Sequence, residues 1–327
     1  MKKVIVTGAN GFLGSNLCKK LIEKNYEVSV FVRENSDISE LINLKIKYFY
    51  GDITDLKSLL LAFENQDYVF HLAGLISYKK YDRKKMQLIN VTGTENVLKA
   101  CIKNNIEKLL YLSSVVTIGS SFDAKVLNEQ SEYKIKNLNL GYFETKRSAE
   151  EIIIKAAKEK KIFAVCANPS TIYGFADAKK ESRKNQIKVA QGNFKFYTAG
   201  GVNVISVDDA TDGIILALEK GKNAERYILS NENLSIKKLF RIIADSAGVK
   251  HPNIYLPTFL LHTIGFFGDL LKSGLSRENA YTASMFHWFD NTKAKTELGF
   301  QPKKSAEQAI NDSVLWMKKN NYLNKLD

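Results

Sequence analysis

In the stretch GYFETKRSAEE, residues 141–151, a tyrosine and a lysine stand four positions apart, Tyr142 and Lys146, at the start of a segment with helical periodicity. About one helical turn separates them, so both side chains project from one face. A phenol that titrates near about 10 is a poor base at neutral pH, and a neighbouring ammonium favours its ionised form. Such a pair can pass a proton to or from a substrate oxygen. Taken alone, the spacing is also that of an ordinary surface pair. A hydroxyl partner is available in KLLYLSSVVTIG, which puts Ser113 and Ser114 at the end of an apolar, strand-like run. A doubly wound sheet presents side chains at that end to its ligand crevice. A serine there can donate to the same oxygen and steady its developing charge.

Positioning such a group requires a cofactor cradle, and VTGANGFLGSNL supplies one: Gly8, Gly11 and Gly14 lie between a first strand and a first helix. A tight turn, close approach of a pyrophosphate to the backbone and the N–H groups of a helix amino terminus all need residues without side chains there. Phe12 and Leu13 then project into the cofactor site or the core. A sheet that selects NAD places an acidic residue roughly 20 positions beyond the glycines to hold the ribose 2′-hydroxyl. Here VFVREN gives Val32 followed by Arg33. A guanidinium pairs with a 2′-phosphate that a carboxylate would repel. The expectation is NADP(H), with NAD(H) the alternative if Glu34 holds the ribose.

With its TGxxGxxG turn the chain resembles the extended branch of the short-chain dehydrogenase/reductase superfamily, the NAD-dependent epimerase/dehydratase family. Further segments match in order: GDITD at 51–55, HLAG at 71–74, NVTGTENVLKA from Asn90, NPSTIYG at 168–174 and FDNTKAKTELGFQP near the end. The resemblance implies that Asp52 bonds the adenine amino group and Ile53 packs on the ring. It implies that Leu72, Ala73 and Gly74 line the cofactor, that Asn168 and Ser170 flank the nicotinamide, and that Lys146 also holds the nicotinamide ribose. It selects Ser114 over Ser113, because Gly119 then falls at the motif's glycine. The catalytic set is thus Ser114, Tyr142 and Lys146, with Ser113 in reserve.

Strand-like runs alternate with amphipathic segments through the first half, which implies an α/β fold with a parallel sheet covered on both faces. The expectation is a Rossmann-like doubly wound parallel sheet with a smaller, interleaved substrate-binding lobe. Residues 1–170 with 202–222 form the NAD(P)-binding part; 171–201 and 223–327 form mainly the substrate lobe. After Pro169 the alternation weakens, with TIYGFADAKK reading as a loop. Residues 83–104 and 142–160 read as the longest helices, and the resemblance implies a homodimer paired through them.

The formal charge of +13 arises from 48 Lys and Arg against 35 Asp and Glu. The lysines are spread over nearly every helix, which describes a solvated surface that can attract an anionic dinucleotide, and no nucleic-acid partner is expected. Cys18, Cys101 and Cys166 are odd in number and far apart, which suits a reducing cytoplasm. His71 reads as a packed or positioning residue, the other histidines lack ligand spacing, and no metal site is expected. The acids of VDDATDG read as helix caps. The apolar run YLPTFLLHTIGFFGDLL, 255–271, is too short and interrupted to be an integral membrane segment, and either lines a pocket or touches a membrane surface.

Shared machinery does not fix the reaction. Dehydratases of this branch place an Asp–Glu pair after the active-site hydroxyl, whereas Val115 and Val116 follow Ser114. Val32–Arg33, NPSTIYG and the segment from Ile205 look most like the dihydroflavonol-reductase-like group. The leading expectation is an NADPH-dependent reductase acting on a small-molecule carbonyl, or the reverse alcohol oxidation. A nucleotide-sugar epimerase that retains NAD(P) is the alternative, and a non-catalytic nicotinamide-sensing protein the third reading.

Overall fold

Strand β1 (Lys3–Thr7) carries apolar side chains on both faces: Val4 and Val6 enter one core and Ile5 the other. Only a strand covered on both sides tolerates that pattern. In the computed structural model, which describes residues 1–177, 183–271 and 276–323, β1 is central. It joins β2 (Glu27–Val32), β3 (Lys47–Tyr50), β4 (Tyr68–His71), β5 (Lys108–Leu112), β7 (Ala164–Pro169) and β11 (Arg226–Leu229) in an all-parallel sheet of order β11-β7-β5-β4-β1-β2-β3. The chain winds outward from β1 to β3, then crosses to β4. The reversal leaves a crevice beyond the carboxyl ends of β1 and β4, where ligands of such sheets bind.

Helices α1 (Phe12–Glu23) and α7 (Val207–Lys220) cover one face through Leu17, Leu21, Ile214 and Leu218. The other face takes α2 (Leu56–Ala62), α4 (Gly93–Lys103) and α5 (Gly141–Lys158), with Leu59, Val97 and Ile153 buried. The helix expected over 83–104 is α3 (Arg83–Met86), a π-helical segment (Gln87–Thr92) and α4 in succession.

A second sheet contains β6 (Val126–Leu127), β8 (Thr171–Tyr173), β10 (Gly201–Ser206), β12 (Glu232–Ser235) and β14 (Phe286–Phe289); β9 (Phe196–Tyr197) and β13 (Ile254–Tyr255) form a separate ribbon. Against the second sheet lie α6 (Lys184–Ala190), α8 (Ile236–Ala247) and α11 (Ala306–Lys319), with Val189, Ile243 and Ile310 in their shared core. Helices α9 (Thr258–Leu271) and α10 (Arg277–Ser284) pack on one another. Two strands fall across the sequence-drawn boundaries. The strand β10, from the 202–222 segment, lies in the second sheet, and β11, from the 223–327 segment, is the edge of the main one. The loop-like TIYGFADAKK contains β8, and its end from residue 178 lies outside the described residues.

Candidate active site

The glycine turn follows β1 into the crevice. Gly8 has φ +71°, and a Cβ there would sit 2.6 Å from the amide nitrogen of Ala73, while one on Gly14 would sit 2.2 Å from the Gly8 carbonyl. No other residue type fits either position. Gly11 is the N-cap of α1, and no side chain caps that end of the helix, so its first N–H groups and the positive end of its dipole are left for an anion. Phe12 and Leu13 pack into the core beneath it.

One hydrogen-bonded line fixes the cradle to the loop beyond β4. Thr7 Oγ1 accepts the Ala73 N–H at 3.3 Å and donates to His71 Nδ1 at 2.8 Å. His71 Nε2 donates to Thr94 Oγ1 at 3.0 Å, whose own proton goes to the Asn90 carbonyl at 2.6 Å. The two threonine contacts dictate this neutral tautomer. Burial, aided by the Lys146 charge, holds the imidazole down to about 3. His71 is therefore a packed residue that positions the Leu72–Gly74 backbone. Asn90, in the π segment, extends the line: its amide accepts from the Leu75 N–H at 2.7 Å and donates to Thr145 Oγ1 at 3.1 Å, on the same turn as Tyr142.

Arg33 is exposed just beyond β2, and its carbonyl closes a turn with the Ser36 N–H at 3.0 Å. Asp52 Oδ1 accepts both the N–H and the hydroxyl of Thr54, at 2.9 and 2.7 Å. Ile53 is buried under α4, and a Cβ on Gly93 would meet its Cδ1 at 2.7 Å. Asn96 fixes the same segment by donating to the carbonyls of Ile53 and Thr54 at 3.2 and 3.1 Å.

Ser114, Tyr142 and Lys146 converge at the end of β5. Ser114 is half-buried, its Oγ accepts the Val116 N–H at 3.4 Å, and its hydroxyl lies close enough to the Tyr142 phenol to favour the ionised form. Ser113 points inward instead, its Oγ buried without a partner. Lys146 donates to the Leu112 carbonyl at 2.6 Å, and its ammonium lies 4.3 Å from the centre of the Tyr111 ring. Burial lowers its pKa to about 8 against the opposing pull of Glu150 and Cys166. Burial also raises the Tyr142 phenol above its usual value; Tyr78 adds to the rise and the nearby Ser114 hydroxyl opposes it. Lys146, expected to ease phenol ionisation, is not among the influences on it: in an apolar surrounding of Phe143, Met285 and Tyr78, the desolvation penalty dominates.

Behind this corner lies a buried polar hub absent from the sequence reading. Glu150 accepts from Thr117 Oγ1 at 3.0 Å, Asn168 Nδ2 at 2.6 Å and Arg226 Nη1 at 3.2 Å. Asn168 also donates to the Ser114 carbonyl at 3.2 Å. Its side chain is therefore turned into the fold and holds the back of Ser114 rather than lining the crevice. Ser170 is nearly buried, with its backbone N–H on the Leu229 carbonyl at 2.9 Å and its Oγ buried without a partner. A second unforeseen contact comes from α10: Glu278 accepts the Gly141 N–H at 3.1 Å, capping α5, and pairs with Arg83 Nη2 at 2.6 Å. The signals for Glu150 were its position one turn beyond Lys146 and its place on the buried face of α5; Glu278 gave none, being distant in sequence. Among the described residues no cluster of His, Cys, Asp or Glu could hold a metal ion.

Comparison with known proteins fits this layout. The model of the NAD dependent epimerase/dehydratase family matches residues 4–230. A protein of Synechocystis, named provisionally as a dihydroflavonol 4-reductase, is 31% identical, the match spanning 97% of this chain and 95% of that one. The crystal structure of gox2253 superposes with a TM-score of 0.90 at 31% identity, covering 99% of this chain and 100% of the other. That of PA4631, a nucleoside-diphosphate-sugar epimerase from Pseudomonas aeruginosa, gives 0.84 at 22% identity over 99% of both.

Proposed function

Because the chain belongs to the NAD-dependent epimerase/dehydratase family of extended short-chain dehydrogenases/reductases, we propose that it is an NADP(H)-dependent oxidoreductase that reduces a carbonyl, or oxidises the corresponding secondary alcohol, of a small molecule. The observation that carries this reading is the convergence of Tyr142 and Lys146, one turn apart on α5, with Ser114 at the end of β5, where Lys146 also donates to the Leu112 carbonyl.

The turn fits a dinucleotide: backbone packs too closely on Gly8 and Gly14 for any side chain, and the amino terminus of α1 after it carries no side-chain cap. The backbone of Gly8, Gly11 and Gly14 would hold the pyrophosphate, Asp52 and Ile53 the adenine, and Leu72, Ala73 and Gly74 the middle of the cofactor. Lys146 would hold the nicotinamide ribose, with Ser170 beside the ring and Asn168 acting from behind Ser114. Val32 stands where a ribose-binding acid would otherwise be, and Arg33, exposed immediately after it, supports a 2′-phosphate. Bound there, the nicotinamide supplies hydride exchange with the substrate carbon.

The protein's own work is proton transfer. Ser114 donates to the substrate oxygen and steadies its charge, and Tyr142 gives that oxygen its proton during reduction. The raised phenol pKa keeps Tyr142 protonated at neutral pH, as reduction requires. Lys146, still largely an ammonium there, restores charge balance as the phenolate forms. The smaller lobe, 171–201 with most of 223–327, would contact the substrate. Pairing of two copies through α4 and α5 and a cytoplasmic setting, suggested by three free, buried cysteines, belong to the same proposal.

The similarity to PA4631 favours one second reading, epimerisation of a nucleotide sugar with the cofactor retained. A screen of aldehydes, ketones and nucleotide sugars separates the two. Net NADPH oxidation with alcohol formation supports the reductase; isomer formation without NADPH consumption supports the epimerase and defeats it.

A further inference from the structure

Helix α9 reverses the usual arrangement of a surface helix. Its buried positions are Leu261 and the two glycines Gly265 and Gly268. A Cβ on Gly265 would lie 2.8 Å from that of Ala280, so α10 packs against backbone. The bulky residues point outward, with Phe259 74%, Phe267 51%, Leu270 70% and Leu271 74% exposed. Nine of the 22 exposed large hydrophobic side chains of the described residues fall within 254–271, a concentration unlike the scattered apolar residues of an ordinary surface. The β9/β13 ribbon continues it, with Phe196, Ile254 and Tyr255 exposed.

The rim is cationic. Lys195 holds the amides of Asn253 and Ile254 on its carbonyl at 3.2 and 3.1 Å, and the Lys237 ammonium lies 5.2 Å from the Tyr197 ring centre. Lys250 precedes the ribbon in sequence. The one acid of α9, Asp269, is paired with Arg277 at 3.7 Å. A second copy would bring these lysines against cations of its own kind, whereas phosphate headgroups complement them. The helix is about 21 Å long at about 1.5 Å per residue, short of a hydrocarbon core of about 30 Å, and no described helix is long and apolar enough to cross a membrane. A cleft lined by His262, Phe266, Arg277 and Tyr281 opens beside it, and Tyr281 also packs on the cluster around Tyr142.

We propose that α9 and the adjoining ribbon dock into the headgroup layer of an anionic lipid bilayer, with the bulky face of α9 immersed and Lys195, Lys237 and Lys250 on the phosphates. This holds whichever reaction the site performs.

Flotation with phosphatidylcholine vesicles, with and without phosphatidylglycerol, tests it. The full chain should float with the phosphatidylglycerol vesicles and detach as salt rises. The F259E/L270E/L271E variant, altered only at exposed positions, should lose at least about tenfold in partitioning, and K195E/K237E/K250E should lose the preference for anionic lipid. Circular dichroism melting verifies that both variants fold. A wild-type chain that floats with neither vesicle type overturns the proposal, as does equal binding to neutral vesicles. So does a triple variant that floats unchanged but shifts from dimer to monomer in light scattering, which would assign the face to a second copy.

Discussion

Acid should loosen the cofactor turn through His71. The folded chain resists protonating this imidazole until about 3, against an ordinary value of 6.5, because it is buried. Below 6.5 the unfolded chain takes up a proton that the folded one refuses, so the stability contribution is complete above that pH and declines as pH falls towards 3. The slope within that window is about 1.4 kcal/mol per pH unit, so a drop of about two units removes about 2.7 kcal/mol through this side chain. His71→Gln keeps a donor and an acceptor but cannot titrate. Its stability at neutral pH should be lower, since it cannot reach both Thr7 and Thr94 as the imidazole does. Its acid slope should be shallower than wild type by about 1.4 kcal/mol per unit. Urea unfolding at a series of pH values, compared at constant m, reads both. Parallel slopes in the two proteins would refute the reasoning.

Three further outcomes are expected. Arg33→Ala should weaken NADPH binding about 10- to 100-fold, the worth of a charge-assisted hydrogen-bond pair, and leave NADH binding within about twofold; an unchanged ratio of the two dissociation constants by fluorescence titration would remove Arg33 from cofactor selection. Glu150→Ala removes the acceptor shared by Thr117, Asn168 and the Arg226 guanidinium, and should destabilise by about 1–3 kcal/mol in chemical unfolding, with Glu150→Gln recovering part of the loss. Reductive kcat/KM should hold through neutral pH and fall above about 8 as Lys146 loses its proton; in Lys146→Met that alkaline limb should vanish along with most of the activity, and a limb that persists would assign it elsewhere.

The main sheet was legible because its evidence is local. Apolar runs such as Val4–Val6 and Leu109–Leu110 end at glycine or serine, and each becomes a strand whose two faces are buried. Which sheet a strand joins is a long-range matter, which is why β10 and β11 exchanged places relative to the boundaries drawn from pattern alone. The π segment at Gln87–Thr92 was hidden because one wide turn scarcely disturbs helical periodicity. Tyr142 and Lys146 could be read from spacing, but the direction of the phenol's pKa could not, since it depends on the apolar shell that tertiary packing supplies. Glu150 stands one turn beyond Lys146 on the buried face of α5, but its partners are not local in sequence. Only Arg226, 76 residues away, reveals it as a buried hub.

The most direct test of the proposed chemistry is a single-turnover reaction with NADPH deuterated at C4 and a carbonyl found in the screen, run on wild type and Tyr142→Phe. Wild type should place the deuterium on the carbinol carbon. The variant should bind NADPH with unchanged affinity yet transfer at a rate lower by about 100-fold or more, the usual worth of a positioned proton donor. Transfer at the wild-type rate by Tyr142→Phe, or a wild-type product that is an isomer with no net loss of NADPH, would contradict it.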